Sequence, residues 1–203
     1  YRASPGTILR KQVERGGHLD LNRQLAAYYI TRDLLEEAGF PEYAMSYFGA
    51  PRCEADQAYY RLTMDWIGFG SGANSLLGHR YLAFRKGRLH AYNQNPLRFD
   101  VNAPASSPQL TLHWLSQALT TVEGMDARVY QERTGTPLRV ACEEPEVQAY
   151  LRRMSEHGRL IIDRNGIRIH REDIARVIIA LNWIDTPGGD QKVTRLTPVS
   201  ATS

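Results

Sequence analysis

Gly68, Gly70 and Gly72 stand at every second position in the run Asp65-Trp-Ile-Gly-Phe-Gly-Ser-Gly-Ala-Asn-Ser75, and this spacing is the strongest chemical signal in the chain. Residues 63–67 are β-prone, so the run predicts a strand that ends in a glycine turn. Glycine adopts φ > 0 without a Cβ penalty and lets a backbone approach a ligand closely. Successive N–H groups in such a turn form a concavity suited to an anionic or polar group. A tight turn holding no ligand is the equal alternative. A Rossmann-type methyltransferase or dinucleotide site would also need a helix opening at the turn and an acid about 20 residues on for the ribose hydroxyls. Ala73 fits as the small packing residue, but no Asp or Glu lies between Trp66 and Phe99, and Asp100 comes first after them. The missing carboxylate reduces that reading to a minor one.

The same acid-free stretch carries His79, Arg80, Arg85, Lys86, Arg88, His90 and Arg98. Clustered cations beside a glycine turn suit a carboxylate or phosphate ligand; a solvated basic face is the more common outcome. Cys53 and Cys142 lie far apart without a second thiol or His at ligand spacing, which excludes a cysteine-ligated zinc or iron–sulfur motif within the chain. Two such cysteines suit a reducing, cytoplasmic setting. His18, His113, His157 and His170 are expected in loops or on polar faces. Tyr59 and Tyr60 read as core or as the wall of a pocket. No pair of residues has the spacing of a general acid and base.

The elements that must position these groups follow from pattern and punctuation. A turn at 4–7 and a loop at 16–18 precede Asp20, a candidate cap for a helix through Leu21, Leu25, Tyr28 and Leu35 that stops at Gly39. Residues 43–48 read as a buried strand. Residues 102–108, rich in Pro, Ser and Ala, read as a linker. Beyond it come a helix through Leu115, Ala118, Leu119 and Val122 stopped by Gly124, and another through Val147, Leu151 and Met154 ended by Gly158. Residues 160–162 and 167–169 flank Asn165-Gly166, a strong hairpin signal. A last helix spans about 172–183, and the tail from 186 is loose. Helices followed by a two-stranded wing resemble a winged-helix module. The helix before the wing mixes Arg152 and Arg153 with Glu146 and Glu156, so nucleic acid is not the expected partner.

Composition sets the outer limits. The 203 residues are 42% apolar and 23% charged with a formal charge of +3, which describes one globular domain or two small ones. No 18-residue apolar run and no signal peptide occur, so no membrane partner is expected. The opening at Tyr1 predicts a piece of a longer protein. All but three of the 25 Lys and Arg residues are Arg, a bias that hints at a GC-rich bacterial source.

Three runs in order, Leu34-Leu-Glu-Glu-Ala-Gly-Phe-Pro-Glu-Tyr43, Ser46-Tyr-Phe-Gly-Ala-Pro51 and the glycine run itself, resemble the C-terminal half of the oxygen-independent coproporphyrinogen III oxidase-like family of radical S-adenosylmethionine (SAM) enzymes. Ser4-Pro-Gly-Thr7, Gly158-Arg-Leu-Ile-Ile and Gly166-Ile-Arg-Ile extend the resemblance over most of residues 1–185. The fold it implies is α/β: residues 1–101 form the end of a partial TIM-type barrel with the glycine-rich SAM segment, and 102–185 a small α+β winged-helix-like domain, with 186–203 as tail. By position it implies that Ile67, Gly68, Phe69, Gly70, Ser71, Gly72 and Ala73 line a site for a second SAM. It also implies that Arg61 contacts that SAM; an ordinary strand-edge charge is the alternative for Arg61.

The chain departs from the family in two respects. Asn74 stands where the haem-chaperone branch tends to carry His, and Ala58-Tyr-Tyr-Arg61 replaces its Asn-x-x-Tyr-Trp-like run. The Cys-x-x-x-Cys-x-x-Cys that holds the [4Fe–4S] cluster does not occur here and is expected in a missing N-terminal barrel half. The class C methyltransferase branch is therefore favoured, with C-methylation of an sp² carbon in a small-molecule or peptide-derived natural-product substrate. Coproporphyrinogen III dehydrogenation, haem handling or degradation, and a non-catalytic SAM- or haem-binding module are the alternatives. The chain alone is expected to be inactive.

Overall fold

The helix expected after Asp20 forms as α1 (Leu21–Glu37) and stops at its glycine. Gly39 has φ +86°, and the N–H groups of Gly39 and Phe40 return to the carbonyls of Glu36 and Leu35 (3.0 and 2.9 Å). This double closure satisfies carbonyls that a helix end leaves open. The structure, a computed structural model, describes residues 21–84 and 89–184. The turn at 4–7, the loop at 16–18 with His18, the Asp20 cap, the cations Arg85, Lys86 and Arg88, and the tail lie outside the described residues.

The single strand expected over 43–48 is instead a hairpin of β1 (Glu42–Ala44) and β2 (Tyr47–Phe48). Ser46 turns the chain with φ +67° while its N–H donates to the Glu42 carboxylate at 3.0 Å. Tyr28 also donates its hydroxyl to Glu42, which is buried, and burial raises this carboxyl above its ordinary range. Next comes α2 (Glu54–Arg61), which apolar periodicity does not announce. Its signal is charge: Glu54 and Asp56 sit in the first turn and Arg61 in the last, each matched to the helix dipole.

β3 (Asn74–Leu77), β4 (Arg80–Ala83) and β5 (Val101–Pro104) form an antiparallel sheet in that order, with α3 (Leu89–Gln94) between the last two. The expected linker at 102–108 is thus ordered: it ends β5, buries Ala105 and opens α4 (Pro108–Ala118). Its prolines misled because they occupy the two places where a missing N–H is tolerated, an edge strand and the first turn of a helix.

After α4 come β6 (Met125–Asp126), α5 (Ala127–Thr134), α6 (Leu138–Ala141) and α7 (Pro145–His157). β7 (Leu160–Asp163) and β8 (Gly166–Ile169) follow as the expected hairpin, then a 3₁₀ turn at Arg171–Asp173 and α8 (Ile174–Ile184). β8 lies between β6 and β7, all antiparallel. Asp126 caps α5 by accepting from the N–H groups of Arg128 and Val129 at 2.8 and 2.9 Å.

The chain is therefore mixed α/β with small antiparallel sheets, and the described residues form no closed barrel. One cluster of buried side chains runs from Leu62 and Leu76 through Trp114, Leu115 and Tyr130 to Met154, Ile169 and Val177. Segments on both sides of residue 102 share this core. A second tie joins α1 to the 3₁₀ turn. Arg32 pairs with Glu172 at 2.9 Å, Tyr29 donates to the Glu172 carbonyl at 2.9 Å, and Arg171 pairs with Glu36.

Asp173 closes the hairpin's return. Its buried carboxylate accepts from the Arg159 N–H (2.9 Å), from Arg159 Nε (2.7 Å) and from Arg176 Nη2 (2.6 Å). Burial opposes the charge, but these donors outweigh it and hold the carboxyl below its ordinary value. Its contribution is complete above the unfolded-state value of about 4 and is lost as pH falls through the depressed folded value. Asp173→Asn is expected to cost on the order of 1–2 kcal/mol at neutral pH. In urea melts, its difference from the native chain should shrink as pH is lowered from 5 to 3.

Candidate functional site

The glycine run is the tip of a loop that folds back on itself. Trp66 and Leu76 exchange two backbone hydrogen bonds of 3.0 Å, the only strand pairing on the incoming leg among the described residues. The strand expected over 63–67 is thus a single bridge, and β3 leaves the turn where a Rossmann site would open a helix. Trp66 Nε1 donates to Asn74 Oδ1 (3.0 Å), and the Gly68 N–H donates to Ser75 Oγ (3.0 Å). The Ala73 N–H closes the tip on the Gly70 carbonyl at 3.1 Å.

Below the tip, Asp65 anchors the loop. One carboxylate oxygen pairs with Arg133 of α5 at 2.5 Å and the other accepts from the Gly78 N–H at 3.1 Å. Arg133 Nε also donates to the Leu62 carbonyl at 2.9 Å. The loop's base is thereby fixed to the shared core.

The three glycines differ in role. At Gly68 a Cβ would run into the Asn74 carbonyl oxygen, so this position serves close packing. Gly70 and Gly72 have φ +107° and +86°, and a Cβ at Gly70 would meet nothing within 4 Å. Gly70 thus supplies a backbone shape rather than space. Ile67 is 60% exposed and Phe69 83% exposed, so two apolar side chains flank the tip in solvent. Among the described residues, the N–H groups of Phe69, Gly70 and Gly72 have no hydrogen-bond partner.

Ile67 to Ala73 therefore come together by being contiguous; Arg61 stands apart. It ends a helix and lies on no strand edge. Its Nη1 donates to Gln57 Oε1 at 3.1 Å, and its buried Nε has no partner. No hydrogen bond or ion pair joins it to the turn among the described residues. Within the basic run, His79 Nδ1 meets the Arg133 carbonyl at 2.9 Å and Arg80 Nε donates to Asn102 Oδ1 at 3.0 Å, both structural uses.

Behind the loop lies an aromatic block, of which only Tyr59 and Tyr60 stood out in the sequence. Trp66 packs edge-on against Tyr59 (5.4 Å) and Trp114 (6.1 Å), and Trp114 contacts Tyr81 (5.4 Å) and His113 (4.9 Å). These residues come from α2, the loop, β4 and α4, so no local pattern could announce them. Tyr60 continues the block to Tyr47 through a hydroxyl contact of 3.0 Å.

His113 was expected on a polar face and instead packs into this block, with Nε2 buried and unpartnered. It also lines a groove between α4 and α7 with Ser116, Glu146, Tyr150 and Arg153. Burial lowers its pKa, so the ring is neutral at pH 7. Below an unfolded-state value of about 6.5 the unfolded chain binds the extra proton first, and stability falls as pH drops. His113→Phe is expected to flatten the loss of stability between pH 7 and 5, read by thermal melts at each pH. His157 at the end of α7 is half-buried, and His170 Nδ1 lies 2.8 Å from Arg159 Nη2.

No group of three His, Cys, Asp or Glu side chains among the described residues could hold a metal ion. No described helix is long and apolar enough to cross a membrane. No known protein family, curated protein or solved structure matches the chain.

Proposed function

We propose that this chain is the C-terminal half of a radical SAM enzyme that uses two SAM molecules, and that the loop over Ile67 to Ala73 receives the second. The observation that carries this reading is the loop tip: three N–H groups without a partner among the described residues, two of them on glycines with positive φ, beside the exposed ring of Phe69. Such a tip accepts a carboxylate through the backbone, while Phe69 offers a face for an adenine and Ile67 a dry flank. Bound there, SAM supplies a methyl or methylene carbon for an sp² carbon of a natural-product substrate. This chain's part is to bind and orient that donor and exclude water. Arg61, with its unpartnered Nε, joins the site only if the missing half or the ligand draws its guanidinium outward.

The [4Fe–4S] cluster belongs to the upstream barrel half in this reading. Cys53 and Cys142 cannot supply the three thiolates that would hold it. The order helix, short strand, three helices and hairpin from Pro108 onward supports a winged-helix-like domain, and the exposed Ile67 and Phe69 suit a face that the barrel half covers. Porphyrin chemistry is the weaker alternative, since His79 and Arg80 of the run that would meet propionates already serve the fold.

Calorimetric titration of SAM into this chain and into the full-length protein, with Gly70→Val in each, tests the proposal. A Cβ there meets no atom within 4 Å, but a β-branched residue is strained at φ +107°, so the loop's N–H groups are re-aimed while the fold persists. At least a tenfold loss of affinity, about 1.4 kcal/mol, is expected at the second site. Unchanged binding of two SAM molecules by the full-length variant would overturn the reading.

A further inference from the structure

A cleft of about 580 Å³ opens between α5, α6 and the β7–β8 hairpin, and no residue of the glycine loop lines it. Its volume lies in the range of small-molecule sites. Ala127, Pro137, Leu138, Ile162 and Ile167 give it apolar walls. Cys142 adds to them as a neutral thiol, because burial pushes its pKa up to about 11.

The rim is basic. Arg128, Arg139 and Arg164 line the cleft from three different elements. Arg139 and Arg164 pair with no acid among the described residues. Arg128 has only Glu132 at 3.8 Å, with both side chains largely exposed, a contact worth little. The single lining carboxylate, Asp163, is already occupied by the Asn165 N–H (2.8 Å) and by Arg168 (3.3 Å). Ile162, on the edge strand, is 62% exposed, which leaves a large apolar side chain uncovered beside these cations.

An apolar pocket ringed by uncommitted guanidinium groups matches one class of ligand. We infer that this cleft binds an apolar small molecule bearing a carboxylate, its hydrocarbon against Leu138, Ile162 and Ile167 and its charge on Arg139 and Arg164. Arginine suits the carboxylate because its planar fork can donate two parallel hydrogen bonds. The inference is independent of the glycine loop and of SAM.

The probe is decanoate, below its micellar concentration, titrated into the full chain and followed by ¹H–¹⁵N NMR. Decyltrimethylammonium and a short duplex oligonucleotide serve as comparisons. Saturable shifts confined to residues 127–142 and 162–167 are expected with decanoate, and none there with the cation. Arg139→Gln with Arg164→Gln should weaken decanoate at least tenfold while the remaining spectrum is kept, because both side chains are exposed. Bound decanoate should also slow alkylation of Cys142, located by mass mapping, and leave exposed Cys53 unaffected. Equal binding of decanoate and the cation, or an unchanged affinity in the double variant, would overturn the inference. Cleft shifts with the oligonucleotide and none with decanoate would also overturn it, and would assign the rim to a phosphate backbone.

Discussion

Gly166→Ala is expected to be among the most damaging single substitutions in the chain. Gly166 has φ +153° and pairs with Asp126 across the β6–β8 seam. A Cβ there would run into the Met125 carbonyl oxygen and lie 3.0 Å from that residue's carbonyl carbon. Backbone cannot yield as a side-chain tip can, so the collision must pry β6 from β8 and disturb the Ala127 N–H bond to the Asn165 carbonyl (2.8 Å). Strain and overpacking together predict a loss of roughly 3–5 kcal/mol, or on the order of 10 °C in the melting midpoint. Gly135→Ala is the control. Gly135 has φ +74° but open space around it, so only the dihedral penalty of about 1–2 kcal/mol applies. Equal losses at the two positions would show that the collision does not matter.

The second large effect is expected at Trp114. Its side chain is 1% exposed, donates Nε1–H to the Ala105 carbonyl at 3.0 Å, and touches Trp66, Tyr81 and His113. Trp114→Ala removes a large core volume and should cost about 3–5 kcal/mol. Trp114→Phe keeps much of that volume but leaves a carbonyl without its donor, for about 1–3 kcal/mol. Because Trp114 supports Trp66 at the loop's base, the SAM binding proposed for the glycine tip should also weaken in the Phe variant without unfolding of the chain. Urea melts and SAM titration on that variant separate the two effects; loss of stability with unchanged binding would mean that the block and the loop are not coupled.

What could be read from the sequence divides along physical lines. α1, α7 and the β7–β8 hairpin were legible because each carries its own boundary: Gly39, Gly158 and the Asn165-Gly166 pair. The sheet of β3, β4 and β5 was not, since Ser75 meets Leu82 and Leu82 meets Asn102 only once distant segments pair. The helix α2 escaped because charges rather than an apolar stripe mark it. The glycine loop showed its existence through spacing alone, while its shape depended on Trp66 meeting Leu76. The aromatic block, the burial of His113 and the arginine-rimmed cleft were hidden for the same reason: their members come from separate elements. Arg61 was singled out by position along the chain, which says nothing about distance to the turn.

The tie between α1 and the 3₁₀ turn sets an order of events during synthesis. Tyr29 and Arg32 find Glu172 at separations of 143 and 140 residues, and Arg171 finds Glu36 at 135. At a synthesis rate of about 5–20 residues per second, α1 waits roughly 7–28 s for the partner that receives it. Throughout that interval Arg32 and Tyr29 lack Glu172, and Ile30 and Leu34 are exposed, as they remain in the finished fold.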